Sequence, residues 1–438
     1  MKYLILVWGC ILLIPFCGIG QTGPGGVGTT DGSSSLRVWL KSDDLDADGD
    51  NTDNPTNGTA VSQWSDFSGS ANHFTQTGAN RPTYTTGTFN AVNFDSNAAT
   101  PQLMNNSTTG FYTNGSTFFV TNTVNTGPSH TLFDNGTFSL RAEQWFNTSR
   151  VGFTHYGVAD YSTTIASPFG TNAIISYHKT GTSSNLDVRV NTATQALNIG
   201  ATNKGIPFDR IGKATASADE ASGDFFEILL YNNRLNAAQI IIVDNYLSAK
   251  YANIPIPIDV YNEDDIAAGN YDHDVAGIGR VNATNLHNDS QGTGIVRISN
   301  PTNLNNDEFF MWGHDNGTLL INNTTDIPTG ITARFDRVWR VSEVSTTGTP
   351  VNVGDIDMQF DLSGITGITT SSLRLLIDSD NDGNFNDETP ISSAIDLGGN
   401  TYGFNGVTAL ANNLRFTIAL GKRTIITNRR ITYRIRKN

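Results

Sequence analysis

Two stretches of this chain share the pattern D-x-D-x-D-G-x-x-x-D. The first sets Asp44, Asp46, Asp48, Gly49 and Asp53, and the second sets Asp378, Asp380, Asp382, Gly383 and Asp387. Alternating acids bring three carboxylates together from one short loop, and the glycine takes the sharp turn that keeps them converging. That arrangement suits a hard, oxygen-preferring cation, calcium above all. Asp43 and Asp50 add to the crowding in the first copy, with Lys41 the nearby base. Like charges ~4 Å apart repel by about 1 kcal/mol in water, so such a loop splays unless a cation sits in it. The twelfth position, Glu in an EF-hand, is Pro55 in one copy and Thr389 in the other. The expectation is therefore two structural calcium staples and no helix-loop-helix sensor. Solvated acidic turns are the plainer alternative.

Strands must position both ladders. Leu36-Arg-Val-Trp-Leu-Lys41 alternates at period two, and the first ladder leaves directly from it. The second leaves from the apolar run Leu373–Ile377 in the same way. Between them lie many short apolar runs separated by Gly, Asn, Asp and Thr, among them 117–120, 173–177, 186–190, 225–231, 309–312 and 337–341. Regular short strands with turn chemistry between them predict an all-β sandwich architecture. One helix is expected. Asn236 is an N-cap with Gln239 three residues on, and Ile240, Val243, Leu247 and Tyr251 mark one apolar face. Pro255 and Pro257 end that unit.

The chain has 438 residues, enough for two domains of ordinary size. Residues 1–20 read as a secretory signal peptide, with Lys2 before an apolar core and small residues at Gly18 and Gly20. Both cysteines, Cys10 and Cys17, fall inside it, so no disulfide is available to the exported part. An exported cysteine-free β-protein needs a large core, calcium, or both. Residues 21–35 read as a flexible Gly/Ser/Thr-rich leader. The first domain is expected over 36–255, the second over 256–421, and a basic tail over 422–438. Net charge is −14, and seven of the 27 basic residues lie in that tail, so the body is more acidic still. Such a body repels nucleic acid and anionic membrane. No transmembrane segment is expected.

The residues from 36 to 251 resemble the LamG-like, concanavalin A-like jelly-roll family of secreted Bacteroidota proteins. The resemblance rests on Leu36–Lys41, Val61-Ser-Gln-Trp-Ser-Asp-Phe-Ser-Gly69, Arg81-Pro-Thr-Tyr84, Val92-Asn-Phe-Asp95 and Glu227-Ile-Leu-Leu-Tyr-Asn-Asn-Arg-Leu235. The second half resembles an uncharacterised β-domain that follows such jelly rolls, through Tyr271–Arg280, Met311–His314 and Arg337–Arg340. The resemblance implies a jelly-roll sandwich with one C-terminal helix, followed by a second β-sandwich. It implies no activity.

Jelly-roll glycosidases carry E-x-D-x-x-E along one strand. The nearest string, Asp355-Ile-Asp357-Met-Gln-Phe360, lacks both glutamates. None of the seven histidines has the paired spacing of a zinc site, and Asp272-His273-Asp274 reads more readily as a turn than as an acid-base cluster. Binding is the better class. Such folds set aromatic rings against sugar faces, and Trp145, Tyr156 and Tyr177 are the candidates. Trp39 and Trp64 read as core. The expected role is adhesion or recognition at the cell surface or outside the cell, with glycan or a surface protein as partner. A structural spacer, or a polysaccharide-active enzyme, are the alternatives.

Overall fold

The computed structural model describes residues 21–127, 130–145, 149–200 and 203–422. Residues 1–20, expected to be a signal peptide and holding both cysteines, and the tail beyond Lys422 lie outside the described residues. The fold is all-β, with the helix Ala237–Lys250 (α1) as the one α-helix among them.

Two eight-stranded antiparallel sheets form the first sandwich. One runs Ala193–Asn198, Asn185–Val190, Ala173–Lys179, Gly115–Thr123, Gly223–Tyr231, Ala91–Phe94, Thr83–Thr85, with Leu36–Lys41 also paired to Gly223–Tyr231. The other runs from Ala159–Ala166 through Phe138–Glu143 and His130–Asp134 to Gln63–Trp64. Their inner faces enclose Val38, Leu40, Trp64, Phe119, Phe133, Ile175 and Ile228. The second sandwich pairs an eight-stranded sheet, which holds His273–Asn282, Glu308–His314, Trp339–Ser345, Leu373–Asp378 and Arg415–Gly421, with a five-stranded sheet. Trp312, Trp339, Phe360 and Phe416 fill that core. The expected strands at 36–41, 117–120, 173–177, 225–231 and 373–377 all lie within observed strands. Trp39 and Trp64 are fully buried.

Helix α1 starts at the expected cap: the Asn236 side chain accepts from Gln239 N–H, and the Gln239 side chain accepts from Asn236 N–H. Its surroundings differ from the expected single apolar face. Ile241, Ile242 and Tyr246 are buried along with Ile240, Val243 and Leu247. One apolar cluster joins α1 to Leu36, Trp39, Phe118 and Leu229 of the first sandwich and to Val275, Phe309, Met311 and Val344 of the second. The helix is thus a filling between two sheets, and at about 1.5–3 kcal/mol per buried aliphatic side chain it holds the halves together. Asn245, buried in α1, fixes the chain that follows. Its amide donates to Ile241 O and Ile258 O, and its oxygen accepts from Val260 and Tyr261 N–H.

The stretch 21–35, expected to be flexible, is built into this junction. Residues 23–28 are buried. Gln21 O accepts from Gln291 and Gly292 N–H, Gly25 O accepts from Ser290 Oγ, and Val27 O accepts from Tyr231 OH. Its glycines suit it to packing: a Cβ on Gly26 (φ 84°) would meet Ser290 Oγ at 1.7 Å. His287 Nε2 donates to Gly26 O at 3.1 Å, and burial pushes this imidazole down from 6.5 to about 4.

At the centre of the junction lies Glu227, fully buried. Its Oε1 accepts from Trp39 Nε1 (2.7 Å) and Tyr246 OH (2.9 Å), and its Oε2 accepts from Lys250 Nζ (2.8 Å) and Tyr251 OH (2.9 Å). Glu227→Ala leaves four donors without their acceptor and should lower stability by about 3–5 kcal/mol, read as a lower urea midpoint at unchanged slope. A neutral result would contradict this role. His287 makes a separate prediction. Its folded-state pKa lies below the unfolded value, so its contribution is full above 6.5 and is lost as pH falls towards 4. Between pH 7 and pH 5 the wild type should lose about 2 kcal/mol more than His287→Gln, and parallel stability curves would rule this out.

Candidate functional site

The halves meet along a cleft of ≈ 800 Å³. One wall is the first aspartate loop (Asp43, Asp44, Gly49, Asn51) with Phe67 and Phe89; the other is Asp272, His273, Asp274, His314 and Arg337. The loop follows the Leu36–Lys41 strand, and positive φ at Ala47 (62°) and Gly49 (92°) turns it back on itself. Asp44, Asp46 and Asp48 can each place a carboxylate oxygen within 4.8 Å of the others. Asp53 lies outside that group but within its field: desolvation, then Asp46, Asp48 and Asp50, push its carboxyl up.

Asp44 is 3% exposed. Its Oδ2 meets Lys41 Nζ at 3.2 Å and accepts from Gly49 N–H, while its Oδ1 is buried with no hydrogen-bond partner. Asp43 pairs with Lys250 at 3.1 Å. Burial alone would raise the Asp43 carboxyl, but Lys250 and Lys41 outweigh it and hold it below its ordinary value. The donor set thus fits a hard cation, with one buried oxygen to spare.

The second ladder has the same spacing and different partners. Asp378, Asp380 and Asp382 also converge within 4.8 Å, whereas Asp387 is not part of that group. Asp378 is fully buried and both its oxygens are occupied. Oδ1 accepts from Asp382 N–H (3.1 Å), and Oδ2 accepts from Gly383 N–H (3.0 Å) and Arg415 Nη1 (3.0 Å). Antiparallel register places Arg415 directly opposite Asp378. Arg415 Nη1 also donates to Asn381 Oδ1 (2.9 Å).

The Asp272-His273-Asp274 stretch, read from sequence as a turn, opens a strand. His273 pairs in register with His314, and their rings stack at 5.7 Å. His314 Nε2 donates to Asp274 Oδ2 (2.8 Å) while its Nδ1 accepts from Asn316 N–H (3.0 Å), which assigns a neutral Nε2-protonated ring. Thr293 Oγ1 donates to Asp274 Oδ1, and Arg337 Nη1 lies 3.9 Å from Oδ2. Burial would raise the Asp274 carboxyl, but His314, Thr293 and Arg337 outweigh it and hold it far below its ordinary value. Sequence reasoning missed His314 and Arg337. Strand register brings His314 to Asp274, and the connection between the strands Ile331–Phe335 and Trp339–Ser345 brings Arg337.

The three aromatic candidates separate. Tyr177 is fully buried, its OH donating to Arg141 O (2.7 Å), so it cannot meet a ligand and belongs to the core. A tyrosine on a strand between two sheets points into whichever core its register dictates. Tyr156 is half-buried and tied down: it donates to Asp134 Oδ2 (2.9 Å) and accepts from Arg141 Nη2 (2.8 Å), and burial raises its phenol to about 12. Trp145 is 41% exposed. It edges a hollow of ≈ 360 Å³ lined also by Ser96, Thr126, His130, Ser217, Asp219 and Glu220. Buried Gln144 fixes its position, donating to Phe153 O and Tyr161 O and accepting from Trp145 N–H. Arg141 holds Asp219 at 2.7 Å.

Residues 243–413 match the model of a family described as a domain of unknown function (DUF8202), a match that starts inside α1. No curated protein matches the chain. Among solved structures, domain 4 of an extracellular arabinanase from Geobacillus stearothermophilus, in complex with arabinotriose, is similar at 16% identity, covering 48% of this chain and 97% of that one (TM-score 0.33). A heptameric pentraxin from Limulus polyphemus is similar at 11% identity, over 35% and 78% of the two chains (TM-score 0.28). A carbohydrate-binding module of a Ruminococcus gnavus sialidase, bound to sialyllactose, is similar at 13% identity, over 31% and 83% (TM-score 0.25). Among the described residues, no helix is long and apolar enough to cross a membrane.

Asp274→Asn removes a charge-assisted acceptor and should cost roughly 1.5–3 kcal/mol at pH 7. Because the folded-state carboxyl is depressed, that contribution is full above the unfolded value of 3.8 and is lost as pH falls below it. Denaturant titrations of wild type and variant should therefore converge in acid; a gap that stays constant with pH would contradict this.

Proposed function

We propose that this chain is an exported recognition or adhesion protein that binds glycan through its first sandwich, at the hollow beside Trp145. The observation that carries the reading is the chemistry of that hollow. Trp145, 41% exposed, brings an indole to its edge, while Asp219, Glu220, Ser96, Thr126 and Ser217 line it with polar groups. Sugars present that same pairing of an apolar ring face and a rim of hydroxyls. Export is supported by the N-terminal signal pattern. The proposal includes calcium held in an acidic loop as a static staple.

A glycan screen of the mature chain tests this, followed by Trp145→Ala. The variant should keep the wild-type melting temperature and lose roughly tenfold or more in affinity, about 1.4 kcal/mol. Undiminished binding by the variant would move the site elsewhere. A screen in which the wild type binds nothing would favour the spacer role instead.

A further inference from the structure

The two ladders have one sequence pattern and two electrostatic environments. In the second, the buried aspartate Asp378 already faces a cation: Arg415, set opposite it by strand register at 3.0 Å, with backbone N–H groups on both its oxygens. In the first, the equivalent aspartate Asp44 is also buried and also meets a cation and a backbone N–H on Oδ2, yet its Oδ1 has no partner. A buried carboxylate oxygen left unpaired is costly, by about 1–3 kcal/mol and more for a charged group. Lys41 reaches the other oxygen, and Lys250 serves Asp43. Neither is paired with Asp46 or Asp48, whose carboxylates converge on Asp44.

We infer that the first ladder is a divalent-cation site on the wall of the cleft, and that the second is not, because both oxygens of its buried aspartate are already taken. The ligands are the carboxylates of Asp44, Asp46 and Asp48, and the all-oxygen set selects calcium over softer metals. The inference is independent of the Trp145 hollow. It divides the paired calcium staples expected from the sequence into one ion site and one loop whose buried carboxylate is already satisfied on both oxygens. The ion neutralises a loop that is tied through Asp43 and Lys250 to Glu227, so its binding should be read in the stability of the junction.

The test is calorimetric titration of the chelator-stripped mature chain with calcium chloride, alongside melts in calcium, in magnesium and in chelator. One calcium per chain should bind, with a dissociation constant of roughly 10⁻⁴–10⁻³ M as in extracellular modules, and calcium should raise the melting temperature. Asp46→Asn and Asp48→Asn change exposed side chains, so they should fold normally and weaken calcium roughly tenfold or more, since affinity follows the ligands' charge count. Asp380→Asn and Asp382→Asn, the exposed counterparts, should leave both affinity and stoichiometry unchanged. The inference is overturned by any of three results: no calcium binding, two sites of equal affinity, or loss of binding in the second-loop variants.

Discussion

A charge taken out of water has to be surrounded, and Glu227 is the charge around which this protein closes. Its two oxygens collect donors from the first strand and from both turns at the end of α1. Removing a carboxylate from water costs several kcal/mol even after relaxation, and only a full set of donors offsets that. Trp39, Tyr246, Lys250 and Tyr251 must therefore arrive together. Burial works against the charge of Lys250, but Asp43 and Glu227 overcome it and hold its pKa well above the ordinary value. The same set fixes the angle at which the helix lies on the sheet, and it reaches out through Lys250 to Asp43 at the start of the first acidic loop.

With the helix fixed on one sheet, its other face receives the second sandwich. The apolar cluster through α1 has no break at Pro255 or Pro257. It continues into Val260, Tyr261, Val275 and Met311. The walls of the cleft are consequently set by packed sheets, and the Asp44 loop and the His273–Asp274–His314 group face a common space because of that packing. The N-terminal stretch reinforces it, with glycines that let the backbone come within reach of Ser290 and Gln291.

The two ladders show how far a local pattern goes. Spacing and a turn glycine were enough to gather three carboxylates in both places. What those carboxylates meet depends on the strand alongside. Arg415 stands across from Asp378, whereas Asp44 meets Lys41 of the strand before it on one oxygen and nothing on the other. Net charge at a loop is thus a property of its neighbours as much as of its own residues.

Local physics made much of the fold legible. The period-two run at Leu36–Lys41, the apolar runs at 173–177 and 373–377, and the Asn236–Gln239 cap depend on residues close in sequence, so they could be read from it. The convergence of each ladder's first three acids belongs in the same class. Three other features depend on partners tens or hundreds of residues away: the burial of α1 on every side, the ordering of the 21–35 stretch, and the loss of Tyr177 to the core. No local pattern encodes them. The sequence by itself determined which short segments would be strands, helix and acidic turns. Only tertiary structure decided which acids keep a free oxygen, which aromatic ring stays exposed, and which histidine meets which aspartate, because those outcomes are set by strand register and by sheet packing across the chain.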